Sequence, residues 1–150
     1  MNRAKIVLSI FFALVCFCNI NPIQVEAGFI SVKQEVEMGQ QASKELEKEY
    51  GLVEDIEMQQ RVSNIGNRLV GASGRTELPF TFKVLKNKEI NALALPGGPV
   101  YLFQGLIDYM QTDEELAGVI AHEIGHIAKR HTVKQIEKNM GMTLLMIAAF

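Results

Sequence analysis

All three histidines of the chain lie within eleven residues, in the segment AHEIGHIAKRH at positions 121–131. His122 and His126 are four residues apart, and Glu123 directly follows the first of them. On an α-helix this spacing puts the two imidazoles on one face, one turn apart, where both rings can reach a single divalent ion. The spacing therefore predicts a metal site that holds one Zn²⁺ per chain, with His122 and His126 as ligands.

Glu123 lies too far from the metal side of this pair to be a third ligand, but it can reach a water molecule beside the ion. A carboxylate in that position would accept a proton from the water as general base and later return it to a leaving amine. The chemistry that the segment predicts is amide hydrolysis. The alternative is a pair of structural histidines in a protein core.

The surrounding residues 116–128 are apolar or small except for His122, Glu123 and His126. A helix that is apolar on nearly all sides is usually buried, and buried polar groups need partners. The site is therefore expected in a dry interior. Three small residues on this helix leave room beside the site for another helix or a substrate: Gly118, Ala121 and Gly125.

The segment TDEE before the motif predicts where the motif helix begins. Thr112 can cap the helix, and Glu115 three residues later completes a capping box. The helix is expected to run to about Asn139, with cations in its last half, where they suit the helix dipole. On one continuous helix, His131 would lie about 140° round from His126. We therefore expect His131 to be a helix-end or supporting residue and not a ligand.

The rest of the chain predicts an α+β fold, in which two amphipathic helices precede a small sheet. The first helix covers residues 29–50 and stops at Gly51; the second begins near Asp55 and stops at Gly71, in the position of a left-handed cap. Strands are expected at residues 80–85, about 89–95 and 100–103, and a short helix at 105–111. The prolines of PGGP at 96–99 indicate a turn at a sheet edge, because neither can donate to a strand ladder.

The N-terminus resembles a secretory signal peptide, with Arg3 and Lys5 before an apolar run that is too short to span a bilayer. We expect cleavage after Ala27 and an exported protein of the periplasm or cell envelope.

Both cysteines lie within residues 1–27, so the mature chain would have no disulfide. It would carry 13 basic and 16 acidic side chains, and this charge does not favour a nucleic-acid partner.

Two segments together resemble a known family. The motif helix, TDEELAGVIAHEIGHIAKRH, and the upstream stretch NALALPGGPVYLFQGLI are similar, in order and spacing, to the gluzincin zinc metallopeptidases. The relevant family contains HtpX, the CAAX prenyl endoproteases and the BepA-like proteases, and it is metallopeptidase family forty-eight. The first helix, VKQEVEMGQQASKELEKEYGLVED, also resembles the start of the exported branch of that family.

This resemblance implies a zincin-like fold with an active-site helix against a small sheet. It implies that His122 and His126 bind zinc, that Glu123 is the catalytic base and that the substrates are polypeptides. A substrate-binding strand is also implied, which would pair with an extended substrate backbone. Its residues are Asn91, Ala92, Leu93 and Ala94.

The chain departs from the family in one respect, the third zinc ligand. The family takes this ligand from a glutamate on a later helix, and Glu137 is the last glutamate that the chain offers. On a continuous helix Glu137 would lie more than about 10 Å beyond His126 along the axis. We therefore interpret residues 28–150 as the N-terminal portion of a catalytic domain that is incomplete at its C-terminus, with the third ligand beyond Phe150, and expect little activity from this stretch alone.

Two other functions remain open at this point. The first is a chaperone-like or peptide-binding module without catalysis, which keeps the strand and the helix but has an incomplete metal site. The second is a membrane protease in which the apolar run at residues 142–150 begins a membrane span. The absence of a full-length apolar segment before the motif favours a protein outside the bilayer, with peripheral membrane association as an alternative.

Overall fold

The computed structural model describes residues 28–148, so the expected signal peptide and its cleavage site lie outside the described residues. The chain begins with two amphipathic helices, α1 (Val32–Tyr50) and α2 (Ile56–Val70). Ser31 and Gln34 form a capping box at the start of α1, and Gly51, with a φ of 71°, follows its last residue. Both helices were predicted from their periodicity.

The start of α2 is also capped, because the Asp55 side chain accepts a hydrogen bond from the Met58 amide at 3.0 Å. The prediction of a left-handed cap at Gly71 is wrong. Gly71 keeps a right-handed helical φ of −56°, and the positive φ occurs at Gly74 instead. The helix ends here through a turn in which the Ala72 amide donates to the Leu69 carbonyl.

Three short strands form one mixed sheet in the order β1-β3-β2. Their bounds are β1 (Thr81–Leu85), β2 (Ala92–Ala94) and β3 (Pro99–Phe103). β3 runs parallel to β1 and antiparallel to β2. The second strand is shorter than the predicted stretch of residues 89–95, although the Phe103 amide still donates to the Asn91 carbonyl, beside the end of β2.

The predicted sheet edge is found on only one side of the 96–99 turn, at β2 and not at β3. Pro99 is the first residue of β3, which is the central strand and is buried along its whole length. A proline is tolerated there because the first residue of a strand can do without a ladder donor. β2, on the other side of the turn, is the edge strand.

Three helices follow the sheet: α3 (Gln104–Tyr109), α4 (Asp113–Ala128) and α5 (His131–Ala148). The prediction that the motif helix continues to Asn139 is wrong. It ends at Ala128, and Arg130 has a φ of 55°, which interrupts the helical backbone before α5 begins. The expected angle between His126 and His131 assumed a continuous helix and is therefore wrong as well.

The elements pack in layers with the sheet in the middle. On one face of the sheet, side chains from α2 and α4 form the main core with β1 and β3. Its fully buried members include Val62, Ile65, Val84, Val100, Leu102, Leu116 and Ile120. On the other face, Tyr101 and Phe103 pack against α1. The arrangement is α+β, as predicted.

α2 fits closely against the sheet. A side chain at Gly66 would bring its Cβ within 2.4 Å of the Phe82 ring, so this glycine permits the close approach. Among the helices within residues 28–148, none combines the length and the apolar character that crossing a bilayer requires.

Candidate metal centre and cleft

The helix that carries the motif, α4, is fixed at its N-terminus and along one face. The predicted capping box is present: Thr112 Oγ1 accepts from the Glu115 amide at 3.2 Å, and the Glu115 carboxylate accepts from the Thr112 amide. Asp113 also accepts a hydrogen bond from Arg61 of α2 at 2.7 Å. The buried face consists of Leu116, Ile120, Ile124 and Ile127.

The opposite side of α4 presents the two histidines to each other. The Nε2 atoms of His122 and His126 are 3.0 Å apart, and the ring centroids are 4.7 Å apart at an interplanar angle of 75°. Two nitrogens that bind one tetrahedral zinc at 2.0–2.1 Å would be separated by about 3.3 Å. The pair therefore fits a zinc ion with only a small adjustment of the rings.

The expected dry interior is wrong for the residues that the structure describes. His122 is exposed, and Glu123 and His126 are partly exposed. Ala121 and Gly118 are exposed too, and a Cβ placed on Gly118 or Gly125 would meet no atom within 4 Å. Burial was predicted because the helix contains few polar residues. Glycine and alanine are non-polar, but they have too little surface to require burial.

His131 approaches the motif more closely than expected. Its Nδ1 lies 2.9 Å from Nδ1 of His126, with the ring centroids 4.9 Å apart. The turn at Arg130 makes this possible because it changes the direction of the chain directly before His131. His126 therefore has a nitrogen neighbour at each ring nitrogen, His122 on one side and His131 on the other.

The third ligand is not supplied by the part of the chain that the structure describes. Within residues 28–148 no group of three or more His, Cys, Asp or Glu side chains is arranged to hold a metal ion. Glu137 lies on α5 and its Oε1 accepts a hydrogen bond from the Ile30 amide at 2.9 Å. The expected distance of Glu137 from His126 assumed one continuous helix, and the break at Arg130 makes that assumption wrong.

The predicted substrate strand lies at the edge of the sheet, where β2 packs against α4. Asn91 is exposed and Ala92, Leu93 and Ala94 are partly buried. The bonds from Phe103 N to Asn91 O and from Leu95 N to Pro99 O set the alternation of the ladder. By that alternation the backbone groups of Ala92 and Ala94 point away from β3.

An open cavity of about 760 Å³ lies beside His122. Its walls come from the α3–α4 connection and the first turns of α4: Asp108, Tyr109, Met110, Gln111, Glu115, Gly118, Val119 and His122. The volume is within the range of small-ligand sites in proteins. A side chain of a bound polypeptide can therefore be accommodated next to the histidine pair.

A polar cluster on the other face of the sheet ties α1 to β1 and β3. Glu47 accepts hydrogen bonds from Lys83 at 2.7 Å and from the Tyr101 hydroxyl at 2.5 Å. Burial on its own would raise the pKa of Glu47, but the bonds from Lys83 and Tyr101 outweigh it and the pKa is lowered. Burial and the bond to Glu47 raise the pKa of Tyr101 to about 12.

A second cluster, which no sequence pattern predicted, consists of Glu35, Arg75 and Arg130. Glu35 is fully buried and bonded to both guanidinium groups. The sequence contains one indication that Glu35 is buried: it lies four residues before Gly39, on the face of α1 that packs inward. Arg130 is one of the cations that the sequence places in the last half of the predicted helix, and its position there does not indicate a partner on α1.

The motif helix, the small sheet and the histidine pair are features of one class of enzyme, and comparison with known proteins identifies the family. Residues 57–150 match peptidase family M48, so the chain belongs to that family. This is the family that the sequence resemblance indicated.

Characterised relatives extend the comparison to the N-terminal helix. The beta-barrel assembly-enhancing protease of Escherichia coli (strain K12) is 36% identical over 108 residues, which cover 72% of this chain and 22% of the relative. Its counterpart from Yersinia pestis is 34% identical over 116 residues, or 77% of this chain and 24% of the relative. The mitochondrial metalloendopeptidase OMA1 of Schizosaccharomyces pombe is 31% identical over 123 residues, 80% of this chain and 36% of the relative. The chain thus spans about a quarter of the length of the beta-barrel assembly-enhancing proteases that it matches.

Proposed function

We propose that the protein is a zinc-dependent endopeptidase that hydrolyses peptide bonds of cell-envelope proteins. The observation that carries the proposal is the histidine pair of α4, with two Nε2 atoms 3.0 Å apart on an accessible face and Glu123 beside them. Membership of family M48 and the names of the relatives support it.

His122 and His126 would hold the zinc ion through Nε2. When bound, zinc polarises the scissile carbonyl and makes a coordinated water more acidic. Glu123 would accept the proton of the attacking water and deliver it to the leaving amine. Two protein ligands hold zinc more weakly than three, so we propose that a third comes from outside residues 28–148.

The edge strand would bind the substrate. Ala92 and Ala94 can pair through their outward backbone groups with an extended polypeptide, as in other cases of strand addition to a sheet edge. Such binding depends little on the substrate sequence, because it uses main-chain hydrogen bonds. Misfolded or misassembled proteins expose extended segments and would be suitable substrates.

An assay of the product of the complete reading frame tests the catalytic proposal. Wild-type protein with added zinc is expected to cleave casein, and Glu123→Gln is expected to lose cleavage by at least about 100-fold while it keeps its fold and its zinc. Glu114→Gln, an exposed carboxylate on the first turn of the same helix, is the matched control and should cleave normally. Equal cleavage by wild type and Glu123→Gln would contradict the proposal.

A non-catalytic peptide-binding module is the second candidate. It is favoured by the finding that the described residues bring only two ligands together. It predicts that the protein suppresses aggregation of an unfolded substrate equally well with and without zinc, and that no cleavage products form. Mass spectrometry of the casein reaction separates the two candidates.

We also propose export to the periplasm or cell envelope after removal of residues 1–27. The names of the bacterial relatives, which refer to β-barrel assembly, agree with this location. The mature protein from a cell-envelope fraction is expected to begin at Gly28, which N-terminal mass spectrometry can determine. A protein that retains Met1 and is recovered from the cytosol would contradict the proposal.

A further inference from the structure

Glu35, near the start of α1, is the one charged side chain that is fully buried within residues 28–148. Its carboxylate accepts hydrogen bonds from three directions. Arg75 donates to both oxygens at 3.0 and 3.2 Å, Arg130 Nε donates at 3.2 Å, and the Gly97 amide donates at 3.3 Å. A buried carboxylate is stable only with such partners, so Glu35 joins the three segments that carry them.

Two of these partners lie at the C-terminal end of the motif helix, Arg130 in the turn that follows it and Arg75 in the loop after α2. Arg130 forms the turn between α4 and α5, and its Nη2 also donates to the Ile30 carbonyl at 2.6 Å. Its φ of 55° is unfavourable for a residue with a side chain and requires support from its surroundings. Arg75 Nη1 lies 3.5 Å from the carbonyl oxygen of Ile127, the residue after His126.

The third partner lies in the turn that follows the edge strand. Gly97 lies in the turn between β2 and β3 and has a φ of 75°. Its Cα lies beside the backbone of α1. A Cβ at Gly97 would approach the Val36 Cα to 2.5 Å, and one at Gly39 would approach the Pro96 carbonyl oxygen to 1.9 Å. The turn is thus in direct backbone contact with the helix that carries Glu35.

The turn at Arg130 has a direct effect on the histidines. It places Nδ1 of His131 2.9 Å from Nδ1 of His126. If His126 donates this hydrogen bond, its Nε2 carries no proton and can bind a metal, and His131 carries its own proton on Nε2. With His126 as the donor, the hydrogen bond would select both the orientation and the tautomer that zinc binding requires.

We propose that the buried Glu35 carboxylate is a positioning residue of the active site, which holds the Arg130 turn, and with it His131 against His126, in a fixed place relative to the β2–β3 turn. The proposal rests on the proposed metal-binding role of His126. Glu35 touches neither metal nor substrate and acts through Arg130 and Gly97. Its removal should change the tautomer of His126 as well as the stability of the fold.

The first experiment reads the tautomer directly, without metal or substrate. Long-range ¹H–¹⁵N spectra of the histidine-labelled product of the complete reading frame, with zinc removed by a chelator, report which nitrogen of each ring carries the proton. His126 and His131 are assigned from single substitutions to glutamine. We expect His126 to be protonated at Nδ1 in wild type and to become a mixture of tautomers in Glu35→Gln and in Arg130→Lys.

The second experiment measures zinc affinity by competition with a chromophoric chelator. Glu35→Gln and Arg130→Lys are expected to bind zinc about 10- to 100-fold more weakly than wild type, as is usual when the support of a ligand is lost. Val62→Ala, a core substitution in α2, is the control for general destabilisation. It should lower the melting temperature but leave the tautomer and the zinc affinity unchanged.

The outcomes are distinct. A wild-type His126 protonated at Nε2, or a zinc affinity within twofold of wild type in both variants, would overturn the proposal, as would equal changes in Val62→Ala. If Glu35→Gln does not fold, Arg130→Lys decides, because it keeps the positive charge. A protein that fails to cleave casein would refute the proposed function, but the tautomer of His126 would still decide the role of Glu35.

Discussion

His122 and His126 differ from an ordinary pair of surface histidines in the direction of their rings, which bring two Nε2 atoms to within 3.0 Å. Two neutral imidazoles in this position can share only one proton, whereas a metal ion uses both lone pairs. Spacing in the sequence predicts that the rings share a helix face. The short distance between the two Nε2 atoms is stronger support for a metal site, because it depends on the side-chain rotamers and not on the spacing alone.

Replacement of a single proposed ligand tests this geometry. His122→Ala is expected to weaken zinc binding by more than about 100-fold, which exceeds the usual effect of removing a residue that only supports a ligand. Its fold should be retained because His122 is exposed. Chelator competition measures the affinity, and circular dichroism monitors the fold. Unchanged zinc affinity in His122→Ala would show that the ion, if bound, is held elsewhere.

At the scale of single residues, much of the site could be predicted from the sequence. Thr112 and Glu115 interact across three residues, so their capping box is encoded locally and was recognised. The turn at Arg130 was missed because its support comes from Glu35, 95 residues away along the chain. Contacts of that kind leave no periodic pattern in a sequence, and only the fold brings them together.

The edge strand β2 is the element whose function is most directly testable. The Ala94 amide points away from β3, so its loss should leave the ladder within the sheet intact. Ala94→Pro removes this donor and is tolerable at an edge strand. One lost hydrogen bond corresponds to about 1 kcal/mol, or a roughly fivefold rise in the KM for a peptide substrate.

Ala94→Ser keeps the amide donor and is the matched control for this experiment. Its KM should equal that of wild type. Thermal unfolding of both variants establishes that the sheet is preserved. An unchanged KM in a folded Ala94→Pro protein would show that substrate does not pair with this part of β2.

Among the elements, helices and strands were predicted where their hydrophobic patterns are strong. α1, α2 and the beginning of α4 follow from periodicity and caps. The position of β3 in the centre of the sheet did not follow, because Pro99 suggested an edge and strand order depends on contacts between distant segments. The exposure of α4 was also missed, because its uncovered side consists of small residues.

For the whole molecule, the polar cluster of Glu47, Lys83 and Tyr101 makes the stability of the fold decrease with rising pH in the alkaline range. The pKa of Tyr101 is about 12 in the folded protein, compared with 10.0 for an ordinary tyrosine. Between these values the unfolded chain has released the proton and the folded chain retains it. The folded state then binds more protons, so the free energy of unfolding falls as pH rises from about 10 to about 12.

Urea unfolding at a series of pH values measures this effect, and absorbance at 295 nm follows the ionisation of tyrosine. Tyr101→Phe removes the group and should flatten the dependence on pH over the same interval, at the cost of lower stability at neutral pH. An equally steep decline in Tyr101→Phe would show that another group is responsible.

The mixed sheet has a consequence for the order in which the protein assembles. β2 and β3 are joined by four residues, whereas thirteen residues, with β2 among them, separate β1 from β3. Closing the shorter loop loses less chain entropy, so the hairpin should form first and dock onto β1 as a unit. The strand proposed to receive substrate would then be among the first parts of the nascent chain to take shape, and its outer edge would be open to strand pairing before α4, the helix that carries the histidine pair, has been synthesised.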